Sequence, residues 1–279
     1  MLLNELLKDT FKLIEKYNSF NIKESIDGEK YIHYSIVHHS TSIEGSSLTE
    51  EETQLLLDDN VTAKGKPIEH HHMQLNHYQA LLFIIEKASE KSLITPSFLK
   101  EVAGKVMKDT GGIHNTIMGV YDSSKGDFRL QNVHAGVTRF ADYTKVPHLV
   151  DVFCNELNSK LQADISEQEA LITSFDAHFN LVSIHPFRDG NGRVSRLMMN
   201  YVQHFHNLPL SNVFKEDKAD YYKALVDTRA SQDMDVFRKF MLLQYSKMLN
   251  IEIDKVLSSQ QEHVIKKKPG KGFGMSMMF

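Results

Sequence analysis

Apolar positions recur every three to four residues through most of the chain. Leu3, Leu6, Leu7, Phe11 and Ile14 fall on one stripe, and Leu171, Phe175, His178, Phe179 and Val182 fall on another, with polar residues between them. That period belongs to helices with one face against a core. Start signals agree. Thr49–Glu52 ("TEEE") and Ser166–Glu169 ("SEQE") are capping boxes, and Pro96 in "TPSF" stands where a first helical turn tolerates proline. Together they predict helices at about 2–17, 31–43, 49–59, 67–90, 96–109, 146–162, 167–183, 193–206, 217–230 and 233–257. The expected fold class is therefore mainly α, a helical bundle.

One stretch breaks the period. Gly111–Gly136, "GGIHNTIMGVYDSSKGDFRLQNVHAG", holds five glycines and sets the turn cluster "DSSKG" between short β-prone segments. It predicts a β-hairpin or flap, with "DSSKG" as its turn. The tail from Ile265 to Phe279, "IKKKPGKGFGMSMMF", has no period and reads as loose chain.

At 279 residues the chain has ample material for one core with an added lobe. Its formal charge of -4, from 32 basic and 36 acidic residues, offers no bulk attraction to nucleic acid or to an anionic membrane. One cysteine, Cys154, rules out an internal disulfide framework and fits a reducing compartment. The N-terminus reads as an amphipathic helix rather than a targeting peptide, and no apolar run is long enough to span a bilayer. A soluble, cytoplasmic protein is expected. His70, His71, His72 and His77 raise the question of a metal site, but consecutive histidines on a helix point apart, which favours a solvated helix start.

Residues 185–196, "HPFRDGNGRVSR", carry the chemistry. A helix ending near Ile184, a loop and a new helix from Arg193 deliver main-chain amides to a helix N-terminus, a ready anion site. Gly190 and Gly192 can take conformations that let a phosphate approach, and Asn191 between them can add a side-chain donor. His185 is the natural general base. Asp189 can hold a Mg²⁺ shared with phosphate oxygens, and Arg193 and Arg196, three apart on the new helix, can pair with those oxygens. A metallohydrolase built on His185 and Asp189 is a competing reading, but it leaves the arginines and the Gly-Asn-Gly turn without a task.

This stretch resembles the signature of the Fic family, HPFx[DE]GNGRxxR, and matches it at every defined position. The surrounding text, through "DYYKAL" at 220–225, fits the family over roughly residues 95–250. The resemblance implies a Fic-type helical bundle with one β-hairpin flap near the active site, divided as an N-terminal helical region (1–94), a catalytic core (95–257) and a flexible tail (258–279). It implies transfer of AMP from ATP, with Mg²⁺, to a Ser, Thr or Tyr hydroxyl of a target protein or of the chain itself. His185 would deprotonate the hydroxyl and Asp189 would hold the metal. The amides of Gly190, Asn191 and Gly192 would bind phosphate, with Arg193 on the polyphosphate and Arg196 on the γ-phosphate. A target would dock by strand pairing on a flap at about 126–136. Tyr221 and Tyr222 stand where relatives wall the adenine pocket, although a tyrosine pair packing a helix on the core reads equally well.

A second match, "STSIEG" from Ser40 to Gly45, resembles the inhibitory motif [ST]xxxE[GN] of members that carry their own inhibitory helix, here about 31–45. Glu44 would then pair with Arg196 and keep it from a γ-phosphate. The same glutamate supports removal of AMP in some relatives, so the reverse direction stays open, as does a nucleotide-sensing interaction protein with little catalysis. A homodimer is compatible with an exposed helix face.

Overall fold

The computed structural model describes residues 2–20, 28–136 and 138–266. Ten α-helices are found among them: α1 (Leu3–Ser19), α2 (Gly28–Ile43), α3 (Glu50–Asp59), α4 (Ile68–Ser89), α5 (Pro96–Met107), α6 (Val146–Gln162), α7 (Glu167–Ile184), α8 (Asn191–Phe205), α9 (Lys218–Ser231) and α10 (Met234–Lys266). Each falls on a stretch with helical period. The predicted caps form as well. Thr49 Oγ1 accepts from the Glu52 amide at 3.1 Å while Glu52 returns a carboxylate to the Thr49 amide at 2.8 Å. Ser166 and Glu169 make the same reciprocal pair.

α7 and α8 form the centre of the bundle. Leu171, Phe175, His178, Phe179 and Val182 are all buried, as the stripe predicts. α8 is enclosed almost all round, with every residue from Arg193 to Gln203 buried. α4 and α5 pack on one side of it, α6 lies along α7, and α1 lies along α10. α2 rests across α4 and touches α8, which brings the N-terminal region onto the central helix. α10 runs to Lys266, past the 257 where its period fades. The rest of the predicted tail, 267–279, lies outside the described residues.

The break in helical period is also real, but the turn stands elsewhere. β1 (Ile113–Thr116) pairs antiparallel with β2 (Gly119–Asp122), so the first hairpin turns at Ile117 and Met118. "DSSKG" instead forms a 3-10 turn, Ser123–Lys125, capped by the Asp122 carboxylate and closed by Gly126 at φ 74°. An Asp that caps its own following amides gains more there than at a hairpin tip. Gly126 packs so closely on α5 that a Cβ would collide with the Lys100 carbonyl. A second small hairpin follows, β3 (His134–Ala135) with β4 (Thr138–Arg139). This second hairpin borders the candidate active site, so the flap predicted at about 126–136 is corrected to 134–139.

Candidate active site

The C-terminus of α7 and the N-terminus of α8 meet at residues 185–191. His185 ends α7 in the left-handed region, φ 54°, with its amide bonded to the Leu181 carbonyl. A non-glycine residue there is strained. The left-handed turn leads the chain sharply into Pro186, and His185 lines a cleft of about 430 Å³. Asn191 braces the turn: its Oδ1 accepts from the Phe187 amide and its Nδ2 donates to the Phe187 carbonyl, both at 2.9 Å. These two bonds fix the orientation of the side chain and leave one of the two Nδ2 hydrogens uncommitted. Phe187 is buried beneath the loop.

Gly190 caps α8 at φ 78°, a backbone conformation that other residues rarely adopt. Its amide is held by the Asp189 carboxylate at 2.6 Å. The first-turn amides of α8 have no acceptor one turn earlier in the helix, and the helix dipole adds positive potential at the same place. Asn191 and Gly192 both line the cleft, together with Asp189 and His185. The start of α8, where the sequence predicts an anion site, therefore forms part of the cleft lining.

His185 stacks on Phe140 with ring centres 3.8 Å apart and planes 12° from parallel. Its Nδ1 lies 3.2 Å from the Val182 carbonyl. A carbonyl can only accept, so Nδ1 carries the proton and Nε2 keeps its lone pair. Burial, supported by the positive charges of Arg129 and Arg229 and opposed by the Val182 bond and by Glu44, pulls the imidazole down to about 4. It is neutral, and a proton acceptor, at neutral pH.

Arg196 is 2% exposed and faces α2. Its Nε donates to Ser40 Oγ at 2.8 Å, and its Nη2 donates to the Ser40 carbonyl at 2.9 Å and to Glu44 Oε1 at 2.7 Å. The end of α2 explains the fit. Gly45, at φ 107°, closes the helix with bonds from its own amide to the Ser42 carbonyl and from the Ser46 amide to the Thr41 carbonyl. The Glu44 amide turns to Thr41, which leaves the Ser40 carbonyl for Arg196. Glu44 sits at the negative end of α2, where a carboxylate is disfavoured, and the guanidinium offsets that. The carboxylate also lies against Gly192, close enough that a Cβ there would overlap Oε1. It occupies the positive end of α8, where an anion would bind.

Other predicted residues separate. Arg193 is buried but does not line the cleft: its Nη2 reaches Met107 Sδ at 3.2 Å and lies 3.7 Å from Asp189 Oδ2. Its Nε and Nη1 have no hydrogen-bond partner among the described residues. Tyr221 is 1% exposed, with its hydroxyl 2.9 Å from His178 Nε2 and its ring 6.0 Å from the Arg196 guanidinium. Tyr222 is 42% exposed, and both tyrosines border the cleft. Tyr221 therefore packs in the core, as one of the two sequence readings has it, while Tyr222 faces the cleft.

Asp189 fits a hard cation that takes most of its ligands from water and phosphate. Its side chain is largely exposed, and Oδ2 has only the longer contact to Arg193. Among the described residues no group of three His, Cys, Asp or Glu side chains is placed to hold a metal by itself. His71 is instead a loop brace, with Nε2 accepting from the Ala63 amide at 2.8 Å, and His70 Nδ1 accepts from the Ser47 amide at 3.2 Å. No helix among the described residues is long and apolar enough to cross a membrane. The residues that sequence reasoning missed are Arg129, Phe140 and Arg229. Each reaches the site through contacts across tens of residues, and no local pattern marks them.

Comparison with known proteins agrees with this architecture. The chain is 30% identical over 198 residues to the protein adenylyltransferase Fic of Drosophila erecta, a match that spans 71% of this chain and 37% of that protein. A Fic domain containing signaling protein from Bacteroides thetaiotaomicron superposes with a TM-score of 0.74 at 21% identity, covering 88% of this chain and 95% of that one. Fic-1 from C. elegans superposes with a TM-score of 0.73 at 21% identity, over 92% of this chain and 73% of that one. These structures share the fold. The model of the Fic/DOC family matches residues 94–203, which contain the flap, the strained histidine and the glycine turn. Over residues 94–203 the motif, the central helices and the flap match the Fic/DOC family.

Proposed function

We propose that the protein transfers AMP from ATP to a hydroxyl of a protein, and that Glu44 holds this activity in check. The observation that carries the reading is the neutral His185, with Nε2 free, at the same cleft as the first turn of α8 and the Glu44 carboxylate paired with Arg196. A target hydroxyl gives its proton to His185 Nε2 as its oxygen bonds the α-phosphorus. The bond from that phosphorus to the β-phosphate oxygen breaks, and pyrophosphate leaves. The amides of Asn191 and Gly192 bind phosphate oxygens through the transition state, where fixed dipoles count most. A Mg²⁺ held by Asp189 would neutralise charge on the polyphosphate. Tyr222 and Leu225 wall the part of the cleft suited to the adenine.

Inhibition works by competition for Arg196 and for the end of α8. While Glu44 occupies both, a γ-phosphate has neither guanidinium nor space, so the nucleotide is held out of line for attack. The target backbone pairs with an outer edge of the β3–β4 hairpin, which reads extended main chain and leaves sequence choice weak. Cys154, buried in α6, suits a reducing compartment such as the cytoplasm.

The test is labelled ATP with Glu44→Gly. That variant should label itself or a protein partner, and adding His185→Ala should abolish it; labelling without His185 would sink the reading. One observation favours a second direction. Glu44 lines the same cleft as His185, and from there its carboxylate can hold a water for hydrolysis of an AMP-modified hydroxyl. Release of AMP from a modified substrate that disappears in Glu44→Gly would identify that direction.

A further inference from the structure

Arg129 precedes the flap and is 1% exposed, yet no carboxylate lies within ion-pair distance of it among the described residues. All three arms of its guanidinium donate to main-chain carbonyls: Nε to His185 at 2.8 Å, Nη1 to Gln131 at 2.8 Å and Nη2 to Ala141 at 2.6 Å. Its own amide donates to the Pro186 carbonyl at 3.0 Å. Burying a guanidinium without a counter-ion is costly, and only several charge-assisted bonds in good geometry offset it.

The three carbonyls are not a random set. One belongs to the strained His185, one to the chain entering the flap and one to the chain leaving it. Phe140, the neighbour of Ala141, is the ring stacked on the His185 imidazole. Arg229 of α9 lies over the Phe140 ring at 5.7 Å and closes the stack. The flap and the imidazole are thus joined twice, once through the main chain and once through the rings, and Arg129 holds the main-chain joint.

We propose that Arg129 is a positioning residue for the His185 base, coupling the register of the flap to the direction of Nε2. The inference rests on the adenylyl-transfer reading for its catalytic consequence, but the joint itself is independent of the reaction. Docking of a target strand on the flap would be felt at His185 through Arg129, so the base is aimed when a hydroxyl is delivered.

The experiment uses Arg129→Lys in the Glu44→Gly background. Lysine keeps the charge but is a point donor that cannot span three carbonyls in one plane. The expected result is a fall in kcat of about a hundredfold with KM for ATP held within about twofold, the pattern of a misaimed group. Independently of activity, the His185 resonance is followed by NMR and identified by its loss in His185→Ala. Burial is the largest influence on its titration, followed by the Val182 bond and then by Arg129, Arg229 and Glu44. Its midpoint should rise from about 4 toward its ordinary value as the ring loosens into solvent. A folded Arg129→Lys protein with unchanged kcat and unchanged midpoint overturns the proposal. Should the lysine variant not fold, Arg129→Gln is read by kcat and KM alone, since losing the charge raises the His185 midpoint by itself; failure of both to fold also overturns the proposal, since the residue then serves the fold alone. If the Glu44→Gly parent transfers no AMP, the adenylyl-transfer reading has failed, and the titration alone decides the joint.

Discussion

The Glu44 carboxylate lies 2.7 Å from the Arg196 guanidinium, joining residues 152 positions apart in the chain. The same carboxylate rests on Gly192 at the start of α8. One acidic group therefore covers both the cation and the helix terminus that an incoming phosphate would use.

Replacing Glu44 should raise activity and lower stability together. Glu44→Gly frees Arg196 for nucleotide but leaves that buried guanidinium without its carboxylate, with Ser40 and the Tyr221 ring still beside it. A cost of about 1–3 kcal/mol is expected, because the lost acceptor served a buried charged donor. Thermal unfolding with and without ATP checks this: the variant should melt lower than the parent, and ATP should recover more of the loss in the variant.

Gly192→Ala tests where the carboxylate sits. The new methyl overlaps Glu44 Oε1, so the substitution should cost roughly 1–3 kcal/mol. In Glu44→Gly most of that cost should vanish, because the group it strikes is gone. A double-mutant cycle by urea denaturation reads the coupling directly, and additive effects would place the carboxylate elsewhere.

Acid should destabilise the folded protein well before carboxylates titrate. Burial holds His38 and His39 at about 4 and keeps His77 and His178 far below their ordinary value of 6.5. Between about pH 6.5 and about pH 4 the unfolded chain binds protons that the folded chain refuses, so stability is complete above that window and falls within it. Each such histidine contributes a slope of about 1.4 kcal/mol per pH unit. Urea midpoints at about pH 7.5 and about pH 5 should therefore differ. The rate per folded molecule should stay flat across the same range, since His185 remains unprotonated down to about 4.

Asn191→Ala removes both bonds that close the His-Pro-Phe turn. Loss of about 1–3 kcal/mol is expected from the stranded main-chain groups of buried Phe187. Asn191→Asp should fare no better, because a carboxylate can accept from the Phe187 amide but cannot donate to its carbonyl. Chemical denaturation of the two variants compares the cases.

The legible part of this protein was local. Helical period, the Thr49 and Ser166 caps and Pro96 mark the helices within a residue or a few of their ends, except where α10 runs on to Lys266, because each signal acts over one or two turns. The run from His185 to Arg196 announces an anion site in the same way, since a glycine turn and a helix N-terminus are properties of adjacent residues. Where local signals compete they mislead. "DSSKG" reads as a hairpin tip, yet Asp122 captures its own neighbours and Gly126 is drawn onto α5, so the reversals fall at Ile117–Met118 and again between Ala135 and Thr138.

The sequence by itself determined the helices, the strained turn and the kinds of side chain placed around it. The inhibitory motif already predicts the pairing of Arg196 with Glu44, and only the tertiary structure decided that Arg193 turns to Met107, that Asn191 braces a loop, and that Arg129 reaches His185 across 56 positions. The reason is physical. Local structure follows from torsional preference and nearest-neighbour bonding, whereas the direction of a buried guanidinium follows from which distant acceptors the packed helices bring within 3 Å of it.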